Sequence, residues 1–214
     1  MFMDRADAGR QLAERLLHVT DENPVVLALP RGGVVVGAAI ARQLHAPLDV
    51  LVVRKLGAPY QPELAIGAII DGSPPQKVLN EELIRMLAVT EQYIDNESQR
   101  QLTEARRRQD AYRRGADAAD IAGRTVVVVD DGVATGATMK AALAALRHGE
   151  AKRLLLAVPV GAPQAIDILK RQVDELICLH APWGFQAVGA FYRHFAQTTD
   201  EEVVSLLAEF TGQR

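Results

Sequence analysis

The sequence predicts an α/β fold: a mostly parallel twisted sheet with helices on both faces. Three observations predict it. Five apolar runs, PVVLALP (24–30), LDVLVV (48–53), TVVVV (125–129), RLLLAVPV (153–160) and DELICL (174–179), are short, continuous and rich in β-branched residues. Parallel strands buried on both faces read this way. Helical segments alternate with them, at 34–45, 137–148 and 163–172, with 4–17 ahead of the first strand. Finally, 214 residues, 49% apolar and 24% charged, suit a single domain with a proper core.

The interval 54–124 breaks the alternation. ELAIGAII (63–70) and QKVL (76–79) flank DGSPP, whose glycine and prolines predict a turn between two short strands. Asn80 is placed to cap a helix beginning EELIRML, and Thr90 a second one reaching about Arg114. The second is mostly polar, with a thin apolar stripe of Tyr93, Ile94, Leu102 and Ala105, as on a surface helix. An aromatic patch, APWGFQAVGAFYRHF (181–195), precedes a C-terminal helix near 200–210.

Charge and cysteine usage exclude several classes. A formal net charge of −3 gives no global attraction to nucleic acid or anionic membrane. The single cysteine, Cys178, excludes an intramolecular disulfide and a Cys-based zinc cluster, so a reducing cytoplasm is expected. The charged N-terminus MFMDRADAGRQLAERL has no apolar signal region, and no run of 18 apolar residues occurs.

The chemistry concentrates at VVVVDDGVATGATM (126–139), where a hydrophobic strand ends in two adjacent aspartates and a loop of small residues. In a parallel sheet the carboxyl end of a strand opens on the ligand crevice. Two neighbouring carboxylates repel unless partnered, and as pure acceptors they suit cations or paired hydroxyls such as a ribose cis-diol. GVATGAT then offers unobstructed backbone N–H groups, the Thr135 and Thr138 hydroxyls, and the positive end of a helix. Acceptors for a diol beside donors for a phosphate describe a ribose 5-phosphate site. The nucleotide P-loop pattern is absent, since no lysine stands in the loop, and so is G-x-G-x-x-G. A plain strand-to-helix turn capped by Asp131 would need one acidic residue, not two.

DDGVATGATM closely resembles the 5-phosphoribosyl-1-pyrophosphate (PRPP) loop of type I phosphoribosyltransferases. The resemblance implies a three-layer α/β/α fold with a small C-terminal hood at 181–198 and an insertion at 54–115, of which 56–80 corresponds to a mobile loop. It implies that Asp130 and Asp131 bind the ribose hydroxyls, and that Ala134, Thr135, Gly136, Ala137 and Thr138 bind the 5-phosphate. LALPRGGVVVGAAIA (27–41) puts Arg31, Gly32 and Gly33 where the family has its pyrophosphate loop. VVRKLGAP resembles the Arg-Lys stretch of adenine-type members, which implies that Arg54 and Lys55 meet pyrophosphate. GFQAVGAFY resembles the hypoxanthine-type hood, so that Phe185 would stack on the base and Gln186 would offer its backbone. Trp183, Phe185, Phe191 and Tyr192 read without the resemblance are core aromatics. The family's sheet order places 24–30 beside 125–129, with 63–70 as an antiparallel edge strand.

The chain departs from the family in two places. Ala134 stands where hypoxanthine-guanine members carry an acid/base aspartate, and adenine-type members tolerate alanine. Arg193 stands where hypoxanthine-type hoods carry a magnesium-linked aspartate. The accepting base therefore stays open, although a purine is the nearer match. The implied reaction is phosphoribosyl transfer from PRPP to a nitrogenous base, with Mg2+ held mainly by PRPP rather than by direct protein ligands. Two rivals remain. One is a PRPP-binding regulator, with Arg106, Arg107, Arg108, Arg113 and Arg114 as its basic cluster; the other is a hydrolase of a phosphoribosyl compound. The expected partners are PRPP and the base, in a homo-oligomer (dimer), with neither membrane nor nucleic acid.

Overall fold

A computed structural model describes residues 1–71, 75–147 and 149–213. Five strands, β1 (Pro24–Ala28), β2 (Leu48–Val50), β6 (Thr125–Val129), β7 (Arg153–Val160) and β8 (Glu175–His180), form one sheet in the order β2-β1-β6-β7-β8. Every neighbouring pair is parallel. Helices α1 (Arg5–Leu16), α2 (Gly32–Leu44) and α7 (Asp200–Ala208) cover one face. On the other lie α5 (Ala137–Arg147) and α6 (Pro163–Lys170). This is the predicted layered arrangement, and its physical cause is plain: β1 and β6 are buried throughout, so each strand needs apolar cover above and below.

The strand expected over 48–53 divides. Leu51 still donates to Ala28 O at 2.9 Å, but β3 (Val53–Ala58) belongs to a separate antiparallel sheet with β4 (Gln61–Ile70) and β5 (Gln76–Leu79). The segment 63–70, expected as an antiparallel edge of the main sheet, is instead the middle strand of this second sheet. Its two edges are taken by strands close in sequence, Val53↔Ile70 on one side and Ile70↔Gln76 on the other. Hairpin-range partners satisfy its backbone before it can reach the parallel sheet. The turn expected at DGSPP falls largely on 72–74, outside the described residues.

Asn80 and Thr90 cap α3 (Glu81–Met86) and α4 (Glu91–Arg113), accepting from Leu83 N and Tyr93 N. Ile94, Leu102 and Ala105 are buried as the stripe predicted, and Ile94 and Leu102 join the core beneath the second sheet. The C-terminal end of α4 is locked to the main sheet by a buried charge. Asp49, 1% exposed on β2, accepts from Arg113 Nε at 3.0 Å and Ala119 N at 2.9 Å. Arg106 pairs with Asp71, Arg107 and Arg108 with Glu104, and Arg113 with Asp49. Four of the five arginines in the basic cluster are thus committed within the fold. No helix of the described residues is long and apolar enough to cross a membrane.

Candidate phosphoribosyl site

Strands β1 and β6 pair in register, Ala28 against Val129, and their onward connections leave in opposite directions, to β2 and to β7. The crevice at their carboxyl ends is therefore the sheet's switch point, where ligands bind in open α/β folds. Both sequence motifs open there. Leu29 N donates to Val129 O at 2.9 Å, which draws the two strand ends together just before the motifs diverge.

The glycines of the first loop lie against the aspartates of the second. A β-carbon on Gly33 would meet the Asp130 backbone at 2.9 Å, and one on Gly32 would strike the Asp131 carboxylate. Glycine is required at both positions by this close approach. The Pro30–Arg31 peptide is cis. Arg31 itself turns toward α7, its Nη1 3.9 Å from Asp200 Oδ1.

Asp130 Oδ1 accepts from the Asp131 N–H at 2.8 Å. Burial, and secondarily the Asp131 charge, push the Asp130 carboxyl well above the ordinary carboxylate range. Asp131 Oδ2 accepts from Arg5 Nε at 2.7 Å. Each carboxyl thus has one engaged oxygen. Neither Asp130 Oδ2 nor Asp131 Oδ1 takes a hydrogen bond among the described residues, which leaves two acceptors for two vicinal hydroxyls.

Beyond them the loop rises over β7: Val133 N donates to Val160 O and Ala162 N to Val133 O, both at 2.9 Å. Gly136 has φ of +73°, a left-handed turn that admits the chain into α5. Ala134, Thr135, Ala137 and Thr138 are all exposed at the start of α5, where Ala137 N donates to the Thr135 hydroxyl at 3.5 Å; a helix N-terminus of this kind can take an anion.

Arg54 and Lys55 turn to opposite sides of β3. On β3, successive side chains point to opposite faces. Arg54 Nε donates to Gln101 Oε1 of α4 at 2.9 Å, whereas Lys55 lines a cleft of about 590 Å³ together with Thr138, Lys140 and Glu81. Of the two cations only Lys55 lines this cleft, whose walls include Ala137 and Thr138 but not Arg31, Gly32 or Gly33.

The aromatic segment packs onto the site as a hood. Val188 lies so close to Gly132 that a β-carbon there would meet its Cγ1 at 2.5 Å. The Tyr192 hydroxyl donates to Asp131 O, and Tyr192 is buried. Phe185 is half-buried and stacked on Phe191, with ring centroids 5.8 Å apart and planes 11° from parallel; Gln186 is exposed. Trp183, read as a core aromatic on composition, is 88% exposed. Arg5 is the site residue that sequence reasoning missed. An arginine in the first turn of an amphipathic helix carries no mark of its own.

A phosphoribosyl transferase domain model matches residues 3–190. Two Mycobacterium tuberculosis proteins, provisionally described as phosphoribosyl transferases, are 49% identical over 207 residues. That covers 97% of this chain and 46% of theirs, so the chain spans about half the length of these curated relatives. The crystal structure of TT1426 from Thermus thermophilus superposes with a TM-score of 0.85 and 45% identity, covering 98% of this chain and 99% of that one. A uracil phosphoribosyltransferase from Clostridium beijerinckii is 42% identical over 57 residues, 27% of each chain.

Proposed function

Because the chain belongs to the type I phosphoribosyltransferase family, we propose that its cleft binds PRPP and transfers the 5-phosphoribosyl group to a nitrogenous base. The observation that carries this reading is the meeting of the two glycine-bearing loops at Asp130 and Asp131, with one free oxygen on each carboxyl. The free oxygens would accept from the ribose 2′- and 3′-hydroxyls. The exposed backbone of 134–138, with the Thr135 and Thr138 hydroxyls, would hold the 5-phosphate. The Arg31, Gly32 and Gly33 backbone and Lys55 would hold the pyrophosphate.

In the reaction the C1–oxygen bond to pyrophosphate breaks as a C1–nitrogen bond forms, and the nitrogen's proton passes to solvent. The transition state gathers positive charge on the ribose and negative charge on the leaving group, so catalysis rests on placement and electrostatics. Asp130 and Asp131 lie beneath the ribose, where they favour the first charge, and Lys55 favours the second.

Mg2+ would be held mainly by PRPP oxygens and water, because both free carboxylate oxygens are given to the ribose hydroxyls. The metal would neutralise pyrophosphate charge; the chain's share is to hold the ribose on Asp130 and Asp131. A purine is the proposed acceptor. What supports a purine is the likeness of GFQAVGAFY to the hypoxanthine-type hood; Phe185 adds a flat ring on which any base could stack, and Gln186 is exposed beside it. The proposed setting is a cytoplasmic homodimer.

The test is a panel of adenine, hypoxanthine, guanine, xanthine, uracil and orotate with PRPP and Mg2+, scored for nucleotide and pyrophosphate together. Nucleotide from one purine is the expected result. Pyrophosphate released without any base would make the protein a hydrolase, and PRPP binding without turnover would make it a regulator.

A further inference from the structure

The N-terminus is built into the ribose end of the cleft. Phe2 N donates to Phe191 O at 2.8 Å, and Arg193 N and His194 N donate back to Phe2 O and Met3 O at 2.9 Å. These bonds fix the start of α1 against the hood. From its first turn Arg5 extends to Asp131, with Nη1 donating to Ala196 O at 2.7 Å and the guanidinium lying 3.9 Å above the Phe195 ring. The Arg5 side chain is 11% exposed and the Asp131 side chain 17%. A guanidinium desolvated between a carboxylate, a carbonyl and an aromatic face is held by three unlike contacts at once, which fixes its orientation.

Resting on the PRPP reading above, we propose that Arg5 is a positioning residue for the ribose-binding carboxylate: it anchors Asp131 Oδ2 beneath Gly32, turns Oδ1 toward the ribose, and ties Asp131 to the hood through Ala196 and Phe195. The geometry requires such an anchor. Asp131 Oδ2 accepts from Arg5 Nε and faces Gly32, so a carboxylate pinned in this rotamer presents Oδ1 as the oxygen without a protein partner.

Arg5 also bears on the charge of Asp130. The titratable and charged groups around Asp131 are Arg5 from α1, Asp130 from its own strand end, Tyr192 from the hood, and Arg31 from the glycine loop. Tyr192 is pushed above its ordinary range by burial and then by the Asp131 charge, so it stays neutral. Arg31 turns to Asp200. Arg5 is left as the cation in contact with the pair, and it opposes the burial that drives Asp130 toward its protonated form.

The experiment measures PRPP affinity and kcat against KM from pH 5 to 9 for the wild type, Arg5→Ala, Arg5→Gln and Arg5→Lys. Loss of a residue that orients a ligating group costs about 10- to 100-fold, and Arg5→Ala should weaken PRPP by that factor. Its acid limb should move to higher pH, because Arg5 opposes the protonation of Asp130. Arg5→Lys should restore the pH limb through its charge and recover only part of the affinity, since one ammonium cannot span Asp131, Ala196 and Phe195. Arg5→Gln should recover neither. An Arg5→Ala protein with wild-type affinity and pH profile overturns the proposal, as does Arg5→Gln matching Arg5→Lys. If the wild type itself fails to bind PRPP, the ribose-site reading falls, and this inference falls with it.

Discussion

A β-carbon built on Gly32 would lie 1.9 Å from Asp131 Oδ2 and 2.7 Å from Arg5 Nε. The glycine loop and the Asp131 carboxylate therefore form one packed unit, and a methyl group cannot enter without turning Asp131 off its arginine. Gly32→Ala should reduce PRPP affinity or turnover about 100-fold, the scale of an ångström's misplacement at a reacting centre. The accompanying overpacking should cost about 1–3 kcal/mol of stability. Calorimetric titration and a thermal melt on the same sample check both. A folded Gly32→Ala protein with undiminished affinity would remove Asp131 from the ribose site.

Asp130 carries a prediction in pH. Its folded carboxyl titrates well above its ordinary value of 3.8, so the native state binds that proton more tightly than the unfolded chain does. Stability from this group is therefore present at low pH and is lost as pH rises from about 4 through the raised folded value. Asp130→Asn removes the buried charge and keeps an oxygen for the Asp131 N–H. Its melting temperature should exceed the wild type's at pH 8, and the difference should shrink toward pH 4. PRPP affinity should fall in the same protein. Destabilisation at pH 8 would show that unseen partners stabilise the carboxylate.

The parts of this fold that were legible in the sequence are those with local signals. Four valines announce β6 and the small residues after Asp131 announce the exposed loop that leads into α5, because strand burial and loop chemistry are each encoded within a few residues. The passage of the chain from β2 to β3 was not legible. Leu51 and Val52 are as apolar as their neighbours, so nothing marks the point where one sheet ends and another begins. The opposite facing of Arg54 and Lys55 follows from that missed strand. Arg5 lies 126 residues from Asp131, and a single contact of that span leaves no local pattern.

Lys55 and Arg54 can be separated by function. Lys55→Ala should lower turnover on PRPP by about 10-fold or more, the loss of one charge-assisted contact to the leaving group. Affinity for ribose 5-phosphate, which lacks pyrophosphate, should hardly change. Arg54→Ala should act differently: it removes the bond to Gln101 and loosens α4 from β3, lowering the melting temperature with little effect on PRPP. Steady-state kinetics on both variants, with a melt of each, distinguishes the two cations. Equal kinetic losses would mean that Arg54 swings into the cleft when ligand binds.

The proposed base end of the site turns on Phe185. Its ring is covered on one side by Phe191 at 5.8 Å, in a near-parallel stack that fixes the orientation of the exposed side. A pre-stacked ring loses little freedom when a planar base lies on it, and it accepts any base because every base has a π-face. Stacking of this kind contributes about 1–3 kcal/mol, so Phe185→Ala should raise the apparent constant for the base about 5- to 150-fold. PRPP affinity should stay near the wild-type value, since the two glycine loops and the aspartates hold that ligand. The stability cost should fall below the roughly 3–5 kcal/mol typical of a fully buried phenylalanine, because Phe185 is only half-buried. Phe185→Leu tests the aromatic face separately from bulk: it should keep the melting temperature while losing most of the base affinity. If Phe185→Leu binds the base as the wild type does, the ring serves the hood's packing, and the acceptor must be sought against another wall of the cleft.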